Sequence, residues 1–330
     1  MRRPRYPAQT YIIGILAHDR VMLSQAITLI ESDLPEDEAL AQEVLQAILP
    51  HTGKSIRVGV TGVPGVGKST FIESLGCYIA THGHQIAVLA LDPTSQRNRG
   101  SILGDKTRME LLALHPNAYI RPSPARNTLG GVARHTRETM LLCEAAGFDV
   151  VLVETVGVGQ SETLVRSMVD FFLLLMLAGA GDELQGMKRG IMEMADALVI
   201  TKADGQNKLP AQSAAREYQN ALHLFPPSAS QWTVPVLLSA ALQNEGISET
   251  WETIEKYKAH TQQAGFFEQQ RAQQQLAWLH EAIQYALTQA FYQNAAIKNA
   301  LPAIENAIET QKNLPTQAVK ALLNLYFEKK

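Results

Sequence analysis

The chain has 330 residues, 46% of them hydrophobic and 18% charged, with a formal net charge of −3. That length exceeds one minimal domain and can bury a sizeable core, while the near-neutral balance excludes a nucleic-acid binder working through bulk basic charge. The longest apolar run, Phe171 to Ala178, is far short of the roughly 20 residues that a membrane-spanning helix needs, so no membrane segment is expected.

Taken in order, Arg2, Arg3 and Arg5 read as a solvated N-terminal tail. Residues 11–50 read as helix in two pieces. Leu23, Ala26, Ile27 and Ile30 share a face of the first, and Leu40, Val44, Leu45 and Ile48 share one of the second. Because this first apolar stretch is amphipathic, no secretion signal is expected. Ser32 or Asp33 is the expected cap of the second helix, with Pro35 in its first turn.

From Gly53 onward strands and helices alternate, which predicts an α/β fold with a doubly wound, mostly parallel sheet. The expected strands are Ile56–Thr61, Ile86–Asp92, Ala118–Arg121, Val150–Thr155, Phe171–Leu177, Ala197–Thr201 and Val234–Ser239. The clearest helices between them are Gly131–Ala146 and Ala211–Leu224. Beyond about residue 250 the pattern is helical only, and Leu276, Leu279, Ile283 and Leu287 recur at three- and four-residue spacing. Three parts follow: a helical extension over 1–53, a nucleotide-binding domain over 54–250 and a helical arm over 251–330. The arm needs cover, either from its own domain or from a second copy in a homodimer. Cys77 and Cys143 lie far apart and fit a reducing cytoplasm better than a disulfide framework.

The stretch Gly62-Val63-Pro64-Gly65-Val66-Gly67-Lys68-Ser69-Thr70 follows a strand and opens a helix. This is the P-loop spacing, in which glycines let backbone N–H groups converge on a phosphate. Lys68 is placed to neutralise the β- and γ-phosphates, and the Ser69 hydroxyl to ligate Mg²⁺. Two acids, Asp92 and Glu154, end two of these strands, where they can hold that ion or orient a water. Gly157, three residues after Glu154, has the spacing of a γ-phosphate sensor.

Base recognition falls to T-K-A-D, Thr201 to Asp204. Lys202 can lay its methylenes over a purine, and the Asp204 carboxylate can accept from both donors on the guanine edge, which adenine lacks. The backbone of Ser239, Ala240 and Ala241 is the expected donor to the guanine oxygen. GTP and GDP are therefore the predicted nucleotides. In the usual N-K-x-D pattern the Asn ties this loop to the P-loop; Thr201 stands in its place, which predicts a looser tie and lower affinity.

The segments 100–109 (GSILGDKTRM), 141–162 (LLCEAAGFDVVLVETVGVGQSE) and 181–190 (GDELQGMKRG) resemble the MeaB/ArgK GTPases, relatives of the human protein associated with methylmalonic aciduria type A. The resemblance extends over nearly the whole chain. It implies a SIMIBI-class P-loop GTPase that chaperones an adenosylcobalamin-dependent acyl-CoA mutase, above all methylmalonyl-CoA mutase, using GTP to gate cofactor loading. It also implies that Asp105 joins Asp92 and Glu154 around Mg²⁺, and that Gly179–Arg189 is a switch. In that switch Gln185 and Lys188 would reach the phosphates when the partner docks. The chain departs from the family at 96–99, where Q-R-N-R replaces a Thr-Gly-Gly-like run before Ser101.

Three other readings compete. A nickel-delivery maturation GTPase needs clustered Cys and His ligands, and only His82-Gly83-His84 offers a start. A kinase-like P-loop enzyme needs a hydroxyl pocket and a base that nothing here marks. A nucleotide-free scaffold has no use for Lys68, Ser69 and Asp204 together.

Overall fold

Apolar residues run almost unbroken through 150–153, 171–177 and 197–200, as strands covered by helices on both faces require. The computed structural model describes residues 5–32, 34–91, 109–123, 129–155, 161–179 and 188–327. Within these, seven strands form one sheet: β1 (Ile56–Gly62), β2 (Ile86–Leu91), β3 (Ala118–Ser123), β4 (Val150–Thr155), β5 (Phe171–Leu177), β6 (Ala197–Thr201) and β7 (Val236–Leu238). Their order is β3-β2-β4-β1-β5-β6-β7, and every pair is parallel. From central β1 the chain moves to one side for β2 to β4 and to the other for β5 to β7. That reversal beside β1 is the crevice where open α/β sheets bind ligands.

Ahead of the sheet come α1 (Ala8–Leu16), α2 (Arg20–Ile30) and α3 (Pro35–Ile48). Between strands lie α4 (Lys68–Thr81), α5 (Glu110–Leu114), α6 (Leu129–Ala145), α7 (Ser161–Arg166), α8 (Lys188–Met194) and α9 (Lys208–Leu222). After the last strand come α10 (Ile247–Gln263), α11 (Phe266–Gln293), α12 (Ala295–Glu309) and α13 (Pro315–Phe327). One face of the sheet buries Val58, Val60, Leu173, Leu175 and Val199 against Phe71, Leu75 and Ile79 of α4 and Trp251, Ile254 and Tyr257 of α10. The other face packs Leu174, Met176, Leu198 and Ile200 against Met192 of α8 and Ala211 of α9. Each of these strand side chains adds about 1.5–3 kcal/mol of burial, which makes the sheet the rigid base of the molecule.

The N-terminal preface has three helices where two were expected. Asp19 interrupts the first piece: its carboxylate accepts from the Val21 and Met22 N–H groups at 2.7 and 3.2 Å, starting a new helix. Helix α3 begins at Pro35 without a side-chain cap, and Ser32 Oγ instead accepts from the Leu34 N–H at 3.4 Å. Asp33 lies outside the described residues, as do Arg2 and Arg3. Arg5 is not solvated tail: Nε and Nη2 donate to the buried Asp37 carboxylate at 2.9 and 2.6 Å. The preface packs on α6 and reaches the edge strand through the Arg121–Glu31 ion pair.

Helix α10, grouped by sequence with the arm, belongs to the core beneath the sheet. The chain forms two compact units, Met1–Gln274 and Gln275–Lys330, and α11 spans the division. In the second unit, Asn294 caps α12 by accepting from Ala296 N–H at 2.9 Å, and Phe291 meets Tyr326 with ring centroids 5.4 Å apart. Ile297, Ala318 and Leu322 are buried there. No described helix is long and apolar enough to cross a membrane.

Candidate nucleotide site

The site grows from the carboxyl end of β1. Register pairs Val60 with Glu154, which sets that carboxylate beside the loop leaving β1. Thr155 Oγ1 and Thr61 Oγ1, 2.8 Å apart, lock the two strand ends together. Gly62 passes so close to β5 that a Cβ would lie 2.6 Å from the Leu175 carbonyl oxygen, so only glycine fits. Gly67 caps α4 with φ +91°, a left-handed turn that aims the first N–H groups of the helix into the loop. Val66 is fully buried and pins the loop to the core, while Pro64 and Gly65 are exposed.

Within this cradle the Lys68 ammonium donates to the carbonyls of Gly62 and Val63 at 2.8 and 3.3 Å. Burial pulls its pKa below the ordinary lysine value, and the charges of Glu154 and Glu162 partly restore it. Ser69 Oγ donates to Glu154 Oε1 at 3.2 Å, and Glu154 is itself buried. A hydroxyl and a carboxylate meeting beside a lysine form a hard-oxygen donor set, which suits Mg²⁺. Thr70 is half-buried in the first turn of α4.

The second half of the site is built by β6 and the loop after β7. Thr201 Oγ1 donates to the Val66 carbonyl at 2.8 Å, and Lys202 Nζ donates to the Gly65 carbonyl at 2.8 Å. The looser tie expected from the missing Asn is therefore not what this chain has: the threonine hydroxyl makes the bond itself. Ala203 N–H donates to the Ser239 carbonyl at 3.0 Å, and Ser74 Oγ of α4 donates to the Ala241 carbonyl at 2.9 Å. The N–H groups of Ser239 and Ala240 are taken by the carbonyls of Ile200 and Glu245. Asp204 follows, half-buried, and its carboxylate makes no cap bond to the short helical turn after it.

Lys68, Ser69 and Glu154 thus meet at one end of the cradle, with Lys202, Asp204 and Ser239–Ala241 at the other. Asp92, Asp105, Gly157 and Gln185 lie outside the described residues, and Lys188 is described only as the first residue of α8. Sequence reasoning overlooked Ser74 and Asn207, whose Nδ2 donates to the Lys202 carbonyl at 2.6 Å. Neither sits in a motif; only the folding of distant loops onto each other reveals them. Of the His82-Gly83-His84 turn, His82 Nδ1 lies 2.7 Å from the Tyr78 carbonyl and His84 Nδ1 2.6 Å from Asp149.

Residues 23–296 match the model of the family described as methylmalonyl Co-A mutase-associated GTPase MeaB. The chain belongs to the MeaB family. It is 48% identical over 307 residues to a probable GTPase of Mycobacterium tuberculosis, covering 93% of this chain and 91% of that protein. It is 43% identical to the GTPase ArgK of Escherichia coli (94% and 95% covered) and 42% identical to the mouse mitochondrial methylmalonic aciduria type A homolog (95% and 78% covered). Among solved structures, one titled LAO/AO transport system kinase superposes with a TM-score of 0.76 at 36% identity, over 98% of this chain and 99% of that one. As a MeaB-family member the chain is a P-loop GTPase.

Proposed function

We propose that this chain is a GTP-hydrolysing G protein that gates cofactor loading into an adenosylcobalamin-dependent acyl-CoA mutase, methylmalonyl-CoA mutase first, and protects it. The observation that carries this reading is the joined cradle, with phosphate-side groups at one end and Asp204 at the other on loops bonded to each other. The family description, which names a mutase, supports the partner.

In this reading the P-loop N–H groups and Lys68 hold the β- and γ-phosphates and Asp204 accepts from the guanine edge. Ala241, the first residue of a short helical turn, offers its N–H to the guanine oxygen. Ser69 and Glu154, with Asp92 and Asp105, would hold Mg²⁺, which neutralises charge developing on the phosphates. Glu154 orients the attacking water, and Gly157 senses the γ-phosphate. Hydrolysis is slow alone because Gln185 and Lys188 complete the site only when the mutase docks on 181–189. The nucleotide work falls to 54–250, resting on the helical extension 1–53. The part of the 251–330 arm beyond 274 joins two copies in a homodimer. The free thiols of Cys77 and Cys143 suit a cytoplasmic setting.

The test is GTP turnover with and without purified methylmalonyl-CoA mutase from the same organism. The mutase should raise the rate of the wild type, and Lys188→Ala should lose the stimulation while keeping the basal rate. Equal stimulation of both removes Lys188 from the mechanism; stimulation of neither removes this mutase as partner.

A further inference from the structure

We infer that the ion pair of Arg166 with Asp196 positions Lys188. It joins the far ends of α7 and α8, so that the nucleotide state sensed ahead of α7 reaches the helix that Lys188 opens. The joint rests on the roles proposed above for Gly157 and Lys188, and it supplies a physical link between their two segments.

In a parallel sheet each connection leaves the carboxyl end of one strand and returns to the amino end of the next. Helix α7 therefore starts on the crevice side, soon after β4, and finishes at Arg166, shortly ahead of β5. Helix α8 starts on the same side with Lys188 and finishes just ahead of Asp196, at the foot of β6. The two helices pack against each other. Where both end, Arg166 Nη1 and Nη2 donate to Asp196 Oδ2 and Oδ1 at 2.7 and 3.4 Å. Asp196 Oδ2 also accepts from the Phe172 N–H at 2.8 Å, and the Asp196 N–H donates to the Phe172 carbonyl at 2.8 Å. The Trp232 indole N–H donates to the Asp196 carbonyl at 2.9 Å. Strand β5 thus fixes Asp196, and Arg166 carries that fixed point to α7.

As a stabiliser the pair is poor. Burial pushes the Asp196 carboxyl up from 3.8 to about 6, against the charge of Arg166 and the bond from the Phe172 N–H. A carboxyl raised in the folded state loses stability as pH rises from its unfolded pKa through its folded one, so at neutral pH this charge costs the fold stability. Apolar residues of similar size would pack there as well or better. What a forked guanidinium–carboxylate pair adds is direction: it holds the last turn of α7 at one angle to the turn between α8 and β6. The rings of Trp232 and Tyr257, with centroids 5.4 Å apart, and of Tyr257 and Phe171, 5.0 Å apart, pack beside it. With six and seven residues, α7 and α8 are each roughly 10 Å long, too short to bend, so a tilt set at the foot is carried to the first residue.

The experiment is backbone hydrogen exchange across 188–194 with GDP and with a non-hydrolysable GTP analogue bound. In the wild type the opening of α8 should differ about fivefold or more between the two nucleotides. Arg166→Met and Asp196→Asn should abolish that difference while GDP affinity stays unchanged. Arg166→Lys, which keeps a cation for the carboxylate, should preserve it. Asp196→Asn retains an acceptor for the Phe172 N–H and serves if the methionine variant does not fold. With methylmalonyl-CoA mutase present, Arg166→Met should lose the stimulated GTP turnover and keep the basal rate. A nucleotide-dependent difference that persists in Arg166→Met and Asp196→Asn would overturn the joint. So would faster exchange in both nucleotide states with the difference intact, which marks a merely structural role, and so would a wild type whose α8 exchanges alike in both states. A wild type that the mutase does not stimulate defeats the partner reading alone, because the exchange difference tests the joint without the mutase.

Discussion

Arg271, in the first turns of α11, closes on Asp170 at the foot of β5, its Nε and Nη2 donating to the two carboxylate oxygens at 2.7 and 2.6 Å. The same guanidinium reaches the carbonyls of Gly53 and Ser55, both at 2.7 Å. One half-buried side chain thus ties the start of the last long helix to the end of the sheet opposite the P-loop. Removing it leaves Asp170 charged and 1% exposed. Arg271→Met should cost about 3 kcal/mol of stability. Thermal unfolding reads the cost, and GDP affinity of the folded protein should not change. A variant as stable as wild type would show that the pair contributes nothing net.

Glu144 gives the fold a defined acid sensitivity. Burial raises its pKa, but the charge of Arg57 and hydrogen bonds from Arg57, Ser55 and Gly53 lower it further, so the net direction is below the ordinary value of 4.5. A carboxyl depressed in the folded state contributes stability that is present above its unfolded pKa and lost as pH falls through the folded one. Stability should therefore drop as the pH falls below about 4.5, and Glu144→Gln should flatten that slope. Denaturant titrations across this window check it; parallel slopes for the two proteins would exclude Glu144.

Asp204→Asn replaces the carboxylate proposed to accept two guanine hydrogen bonds with a group that offers a donor. GTP affinity should fall on the order of 10²–10⁴-fold, and xanthosine nucleotides, which carry an oxygen at that edge, should become the better ligands. Calorimetry with both nucleotides decides it.

Lys68→Ala removes the half-buried ammonium from the cradle. Single-turnover hydrolysis of GTP should slow by about 10²-fold or more, the scale seen when one preorganised charge stabiliser is deleted. A variant hydrolysing at the wild-type rate would place the chemistry elsewhere.

Leu276, Leu279, Ile283 and Leu287 expose between 45% and 63% of their surface along one face of α11. A stripe of this kind is ordinarily covered by a partner. In sedimentation, the full chain should run as a homodimer and the double variant Leu279→Asp, Ile283→Asp as a monomer. An unchanged mass would mean that the stripe joins no second copy.

The alternation of strands and helices was legible because short apolar runs and period-3.6 patterns are local, and the boundaries of β4, β5 and β6 agree with those expected from sequence alone. So was the P-loop, since its chemistry needs particular residues at consecutive positions. The preface was misjudged by one helix because the break at Asp19 is a capping bond rather than a proline or glycine signal. Helix α10 was assigned to the arm because its apolar face looks the same whether it packs on a sheet or on another helix.

The sequence by itself determined the P-loop and the family, both of which depend on residue identity at fixed spacing. Only the tertiary structure decided what Thr201 does. By spacing it is a missing Asn; in the fold it lies against a carbonyl 135 positions away. The same holds for Arg271 and Asp170, 101 positions apart. Which groups meet across such distances depends on strand order, register and the burial that excludes competing water, and no local pattern of residues encodes those.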